Sequence, residues 1–231
     1  MRVLGLIGGM SWESSELYYR AVNKAVSERL GGFHSAALVM SSIDFEPVET
    51  LQRAGDWDRA GHLLANEARR LQRAGAECIV LCTNTMHIVS DAIEAATELP
   101  FLHIADAAAT AISRLGVQRV GLLGTRFTME QAFYRDRLAT LHGIDVLVPD
   151  TDDRAEIDRV IFEELCHGKV LEASRANYLK VVDKLAAAGA EAVVLGCTEI
   201  GMLVGAEHTT VPLIDTTAVH AAAAVEFALN G

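Results

Sequence analysis

The sequence has 231 residues, 51% of them hydrophobic and 22% charged, so the chain can bury a sizeable core and is not intrinsically disordered. The 20 basic and 31 acidic residues give a net charge of −11, which argues against binding to nucleic-acid phosphates. No hydrophobic run approaches the roughly 20 residues that a membrane-spanning helix needs. We therefore expect neither a nucleic-acid partner nor membrane insertion.

The cysteine content predicts a reducing environment. Four cysteines are too few for the disulfide scaffold of a small secreted protein, and the first residues run directly into a strand-like segment rather than a secretory leader. We expect free thiols and a cytoplasmic location.

Short apolar runs alternate with longer amphipathic runs along the chain. The apolar runs predict buried strands over residues 3–7, 36–40 and 78–81. The amphipathic runs predict helices over residues 11–29, 58–74 and 87–98. Because the alternation continues into the second half, it predicts an α/β protein with mostly parallel sheets flanked by helices.

The second half of the sequence repeats the first. Residues 75–81 return as residues 189–195 with five identities in seven positions, and shorter matches precede and follow them in the same order. This pattern predicts two structurally related domains, one formed by residues 1–98 with 213–231 and the other by residues 99–212.

The repeat also pairs two candidate catalytic residues. Carried one step past the matched strands, it places Thr83 opposite Cys197, and ligands of such sheets bind beyond the carboxyl ends of the strands. A thiol and a hydroxyl at matching positions suit proton transfer on opposite faces of one carbon. A following helix N-terminus would lower the pKa of Cys197, whereas the alternative is a buried, inert cysteine.

Residues near Thr83 allow several interpretations. Cys82 and Thr83 are consecutive, so their side chains should point to opposite sides of the strand. His87 is either catalytic or hydrogen-bonded to the backbone. Cys78, Cys82 and His87 lack the spacing and the fourth ligand of a zinc site, so we expect no metal.

Glycine-rich turns follow the first strand of each half. The turn of residues 8–13 does not have the Gly-x-Gly-x-x-Gly spacing of a dinucleotide site. In the corresponding turn of the second half, the Thr125 hydroxyl either binds an anion or caps the next helix.

Taken together, four motifs resemble the aspartate/glutamate racemase family. They are Gly-Gly-Met-Ser-Trp-Glu-Ser at 8–14, Asn-Thr before Met-His at 84–87, Gly-Thr at 124–125 and Gly-Cys-Thr-Glu at 196–199. The resemblance spans both halves. It implies two pseudo-symmetric α/β domains with the active site in the cleft between them, racemisation at Cα without pyridoxal phosphate or another cofactor, and often a homodimer.

One position departs from the family pattern. The family has a cysteine directly before the Asn-Thr motif, whereas this sequence has Thr83 there and Cys82 one residue earlier. The departure resembles a subgroup with an unequal Thr/Cys pair, which includes L-aspartate/glutamate-specific and broad-specificity amino-acid racemases.

The resemblance also implies which residues bind an amino-acid substrate. Thr83 and Cys197 would be catalytic, and Gln52 would contact the substrate side chain. We interpret the neighbouring Arg53 as a solvated charge of its helix, and Lys169 is an alternative cation that does not follow from the resemblance. The remaining substrate-binding residues that it implies, mainly through backbone N–H groups, are Met10, Asn84, Thr85, Thr125, Thr198 and Glu199.

Other functions remain open from the sequence. The predicted architecture also resembles that of hydantoin racemases, maleate isomerases and arylmalonate decarboxylases. A non-catalytic amino-acid binder that has lost one base is a further alternative, which the threonine at position 83 suggests.

Overall fold

The computed structural model describes residues 1–230. Within them the chain forms two compact units, one of Met1–His103 with the C-terminal segment that begins at His220, and the other of Ile104–Val219. Each unit contains a four-stranded parallel sheet flanked by helices. The predicted α/β class with parallel sheets is confirmed.

The first sheet has the strand order β2-β1-β3-β4. Its strands are β1 (Leu4–Gly8), β2 (Leu38–Ser42), β3 (Cys78–Leu81) and β4 (Phe101–Leu102). The helices of this unit are α1 (Trp12–Leu30), α2 (Phe45–Ala54), α3 (Trp57–Arg73) and α4 (Ser90–Glu94), with a 3₁₀ turn at Thr85–Val89.

The second sheet has the matching order β6-β5-β7-β8. Its strands are β5 (Arg119–Gly124), β6 (Asp145–Leu147), β7 (Ala192–Gly196) and β8 (Leu213–Asp215). Its helices are α5 (Ile104–Leu115), α6 (Arg126–Glu130), α7 (Ala132–His142), α8 (Thr151–Glu163), α9 (Glu172–Ala187) and α10 (Ile200–Leu203), with a 3₁₀ turn at Leu165–His167. The last helix, α11 (Thr216–Asn230), carries the chain back to the first unit.

The matching strand orders confirm the repeat that the sequence predicts, since β3 and β7 begin at equivalent positions of the repeated motif. The predicted domain boundaries need correction, because residues 99–103 belong to the first unit and residues 213–219 to the second. The physical reason is strand pairing: β4 pairs with β3, and β8 pairs with β7.

Strand alternation divides each core into two apolar clusters. In β3, Ile79 and Leu81 pack into the cluster beside α3, whereas Cys78 and Val80 pack into the cluster beside α1 and α11. Successive side chains of a strand thus stabilise opposite faces of the sheet, as expected for a parallel sheet covered on both sides.

Two local predictions have different outcomes. Ser11 caps α1, with its hydroxyl oxygen accepting from the Ser14 backbone N–H, so this predicted helix start is confirmed. The predicted helix over residues 87–98 is wrong in extent, because a 3₁₀ turn and the short helix α4 replace it. The β-branched pair Ile88 and Val89 disfavours a regular α-helix there.

Among the helices of residues 1–230, none combines the length and apolar character required to cross a bilayer.

Candidate active site

The first group of predicted site residues lies at the carboxyl end of the first sheet. Ile7 of β1 pairs with Leu81 of β3, so the segments that leave these neighbouring strands start side by side. These segments carry Met10, Thr83, Asn84 and Thr85. Gln52 of α2 contacts the second segment through Met86. All five side chains are buried. We call these five residues the first strand-end cluster.

The turn that carries Met10 is held by a serine and requires a glycine. The Ser15 hydroxyl accepts from the Gly9 backbone N–H at 2.7 Å and donates to the Ser11 carbonyl at 2.9 Å. Gly9 has φ +95°, and a Cβ atom there would overlap the Ile43 carbonyl oxygen. The Met10–Ser11 peptide bond is cis. The backbone course around Met10 is therefore set by contacts of Gly9 and Ser15.

Thr83 lies in a tight turn whose backbone groups are both engaged. Its N–H donates to the Leu81 carbonyl at 2.9 Å, and its carbonyl accepts from Nδ1 of His87 at 2.8 Å. The interpretation of His87 as a backbone-bonded histidine is confirmed. Cys82 is fully buried in the core cluster beside α1, and burial raises the pKa of its thiol.

Gln52 is the buried polar residue of α2. It is 3% exposed, and its Nε2 donates to the thioether sulfur of Met86 at 2.9 Å. The neighbouring Arg53 is exposed and ion-paired with Glu49, and Lys169 in the second unit is exposed too. Arg53 is thus a surface charge of the helix, as the sequence interpretation favours.

The second group of site residues lies at the carboxyl end of the second sheet. Gly124 of β5 pairs with Gly196 of β7, so Thr125 and Cys197 leave neighbouring strands side by side. A Cβ atom on Gly124 would meet the Gly196 carbonyl oxygen at 2.8 Å, which explains the glycine at this close approach. We call Thr125, Cys197, Thr198 and Glu199 the second strand-end cluster.

Two side chains of this cluster converge on one carboxylate oxygen. The Cys197 thiol donates to Oε2 of Glu199 at 2.9 Å, and the Thr198 hydroxyl donates to the same oxygen at 2.8 Å. Cys197, Thr198 and Glu199 are all buried. The carboxylate therefore has two short-range donors within three consecutive residues.

The electrostatics of Cys197 differ from the sequence expectation. Burial raises the pKa of the Cys197 thiol well above its ordinary value, and the negative charge of Glu199 raises it further. The expected lowering of this pKa is wrong, because α10 contains only four residues and burial outweighs the contribution of the nearby backbone N–H. As found, Cys197 is a proton-bearing thiol.

Thr125 is the N-cap residue of α6. Its hydroxyl oxygen accepts from the backbone N–H of Thr128 at 3.3 Å. The helix-capping interpretation of this turn is confirmed. Thr217, which the sequence analysis did not identify, directs its hydroxyl to the Thr198 carbonyl at 3.4 Å.

Two buried histidines were also missed by the sequence analysis. His103 and His220 lie near His87 in the first unit. They are far apart in the sequence and form no spaced motif, so no local signal identifies them. In residues 1–230, His, Cys, Asp and Glu side chains form no group of three or more that could ligate a metal ion.

Comparison with known proteins identifies relatives over the whole chain. The family model described as Asp/Glu/hydantoin racemase matches residues 7–224. The structure of a candidate Asp/Glu racemase from Yersinia pestis superimposes with a TM-score of 0.92 at 55% identity, covering 99% of this chain and 100% of that one.

Two further relatives are more distant. An aspartate racemase homologue from Pyrococcus horikoshii OT3 has a TM-score of 0.85 and 33% identity, with 99% of each chain covered. A broad-specificity amino-acid racemase, RacX of Bacillus subtilis strain 168, is 24% identical over 71% of this chain and 70% of its own length.

Proposed function

Since the chain belongs to the Asp/Glu/hydantoin racemase family, we propose that it racemises free amino acids without pyridoxal phosphate. The proposed substrates are either aspartate and glutamate or a broader range of amino acids. The descriptions of two relatives support this range, because one is an aspartate racemase homologue and another is a broad-specificity amino-acid racemase.

The hydrogen bond between Cys197 and Glu199 is the observation that carries the proposal. To act as a base, the thiol passes its proton to Oε2 of Glu199, 2.9 Å away, and the resulting thiolate takes the Cα proton. In the reverse direction the thiol gives its proton to Cα, and the resulting thiolate takes back the proton that Oε2 of Glu199 accepted in the forward step. Glu199 is thus assigned to Cys197 as well as to substrate binding.

Thr83 is assigned to the opposite face of Cα. Its hydroxyl is a far weaker acid and base than a thiol, so the two faces should exchange protons at different rates. We infer that the Thr83 step limits turnover. Which antipode depends on Thr83 is measurable by isotope exchange.

We further propose which backbone and side-chain groups bind the substrate. Backbone N–H groups of Met10, Asn84, Thr85, Thr125 and Thr198 would bind the α-carboxylate and stabilise the negative charge that develops as Cα loses its proton. The Gln52 amide, which can donate and accept, suits an acidic side chain without excluding a neutral one.

The first test is a panel of amino acids assayed by chiral chromatography with no added cofactor. We expect racemisation by the natural protein, its loss in Cys197→Ser and its retention in Cys166→Ser. Cys166 is the matched control because it is a second, partly buried cysteine of the same unit. Activity that survives in Cys197→Ser, or that needs added pyridoxal phosphate, would contradict the proposal.

The second test measures hydrogen exchange at Cα in heavy water from each antipode separately. Unequal bases predict that one antipode exchanges its Cα hydrogen faster than it inverts. Equal exchange and inversion rates for both antipodes would argue against the Thr/Cys pair. Exchange without any net racemisation would instead favour an amino-acid binder that has lost one base.

A further inference from the structure

Three imidazole rings lie together behind the Thr83 turn in the first unit. The His87 ring centroid is 4.5 Å from that of His103 and 6.0 Å from that of His220, and Phe101 packs against His87 at 5.4 Å. His87 is 1%, His103 6% and His220 0% exposed. We call His87, His103 and His220 the histidine cluster.

His220 is fixed in one orientation and one tautomer. Its Nε2 faces the Leu102 carbonyl at 2.7 Å, and because a carbonyl has no hydrogen to give, Nε2 carries the ring proton. Nδ1 therefore accepts from the Tyr18 hydroxyl at 2.8 Å. Burial lowers the pKa of His220 to about 4, so the ring stays neutral at physiological pH. His220 of α11 is thus a neutral member of the histidine cluster whose ring is held in one orientation.

The 3₁₀ geometry gives His87 a specific task. In an α-helix the His87 backbone N–H would donate to the Thr83 carbonyl, but here it donates to the Asn84 carbonyl at 3.1 Å. The imidazole Nδ1 takes its place and donates to the Thr83 carbonyl at 2.8 Å. A buried carbonyl that lost this donor would be costly, so the side chain holds the peptide plane of Thr83 in place.

We propose that His87 is a positioning residue for Thr83: its imidazole holds the Thr83 turn, and the other two histidines hold the imidazole. This proposal rests on the proposed function, because that function makes the Thr83 hydroxyl catalytic and therefore sensitive to its orientation. His87 does not act on the substrate itself. Its effect on exchange is therefore specific to the face of Cα that depends on Thr83.

The test compares the Cα exchange rates of the two antipodes in heavy water. Thr83→Ala first identifies the antipode whose exchange depends on Thr83. His87→Leu, which removes the donor and keeps an apolar side chain, should then slow exchange of that same antipode about 10- to 100-fold, with the other antipode little changed. His87→Asn, whose Nδ2 can occupy the place of Nδ1, should restore most of the rate.

Tyr18→Phe is the matched control. It removes the hydroxyl that His220 Nδ1 accepts from, but it leaves both the His220 hydrogen bond to the Leu102 carbonyl and the His87 hydrogen bond to the Thr83 carbonyl, so the ratio of the two exchange rates should stay at its natural value. A His87→Leu protein that slows both antipodes equally, or neither, would overturn the positioning role.

A second pair of variants keeps the test decisive if His87→Leu does not fold. His87→Gln places its amide one bond farther out than His87→Asn does, so only the asparagine should preserve the ratio; equal ratios for the two would overturn the proposal. If the natural protein exchanges neither antipode, the proposed function itself fails, and that result is distinct from a defect confined to the His87 variants.

Discussion

Among the single residues, Glu199 has two effects on Cys197 that can be measured separately. Its negative charge raises the pKa of the thiol, which keeps the thiolate population low, and its Oε2 atom accepts the proton of that same thiol. The charge alone makes the thiol less reactive, whereas Oε2 serves as the acceptor of the thiol proton during catalysis. Removing the carboxylate should therefore change reactivity and catalysis in opposite directions.

Glu199→Gln should make Cys197 react faster with iodoacetamide at neutral pH while it slows racemisation. Loss of the charge lowers the pKa of Cys197, and each unit of lowering raises the thiolate fraction about ten-fold while the thiol remains mostly protonated. Mass spectrometry of the Cys197 peptide measures the alkylation rate across a pH series. Glu164→Gln is the control, because that buried carboxylate binds Ser174 rather than the thiol. Slower alkylation of Glu199→Gln would contradict the assigned effect of the charge.

Gln52→Leu should weaken binding of acidic substrates more than it lowers kcat. The amide is buried at the first strand-end cluster, so its loss removes a donor to the substrate carboxylate, and KM for aspartate and glutamate should rise roughly ten-fold. Arg53→Leu is the control for the neighbouring exposed cation, and it should leave KM unchanged. The opposite pattern would assign the substrate side chain to Arg53.

At the scale of elements, the turn between β1 and α1 depends on the absence of a side chain at Gly9. Gly9 and Gly75 have similar φ angles, +95° and +90°, yet a Cβ atom would overlap Ile43 at the first position and meet nothing within 4 Å at the second. The pair therefore separates backbone strain from steric overlap. The overlap would displace the segment that carries Met10.

Gly9→Ala should lower the free energy of unfolding by about 1–3 kcal/mol more than Gly75→Ala does. Both variants carry the strain of an alanine at positive φ, so the difference measures the overlap with Ile43. Urea denaturation followed by circular dichroism gives both values. Equal losses of stability would show that the β1–α1 turn can shift to admit a side chain.

For the whole molecule, a buried neutral histidine makes folding depend on pH. The pKa of His220 is about 4 in the folded chain, below the ordinary value of 6.5, so between these values the unfolded chain binds a proton that the folded chain does not. This contribution to stability is fully present above pH 6.5 and is lost as the pH falls towards 4. Its full size is about 3 kcal/mol.

The free energy of unfolding should therefore fall less steeply with decreasing pH in His220→Gln than in the natural protein. Urea denaturation at several pH values between 6.5 and 4 measures the difference. His62→Gln is the control, because His62 is an exposed histidine of the same unit. Parallel pH profiles for the natural protein and His220→Gln would show that His220 does not carry this dependence.

Much of the fold could be predicted because its signals are local. Strands such as β1 are short apolar runs, and helices such as α1 begin at a capping residue, so both signals can be recognised within a few consecutive residues. The edge strands β4 and β8 are the exceptions, because the sequence predicts each of them in the wrong half. β4 pairs with β3, and β8 pairs with β7, although the paired segments are separated in the sequence. β4 has only two residues and β8 only three, too few for a recognisable hydrophobic pattern.

The sequence by itself determined the α/β class, the internal repeat and the correspondence of Thr83 with Cys197. Each of these follows from the order of residues within short segments and from comparing one segment with another. Only the tertiary structure decided that Cys82 packs in the core, that the Cys197 thiol is protonated beside Glu199, and that His87, His103 and His220 meet. Burial and pKa depend on which distant residues surround a group. That information arises when the strands pair and the helices pack against them.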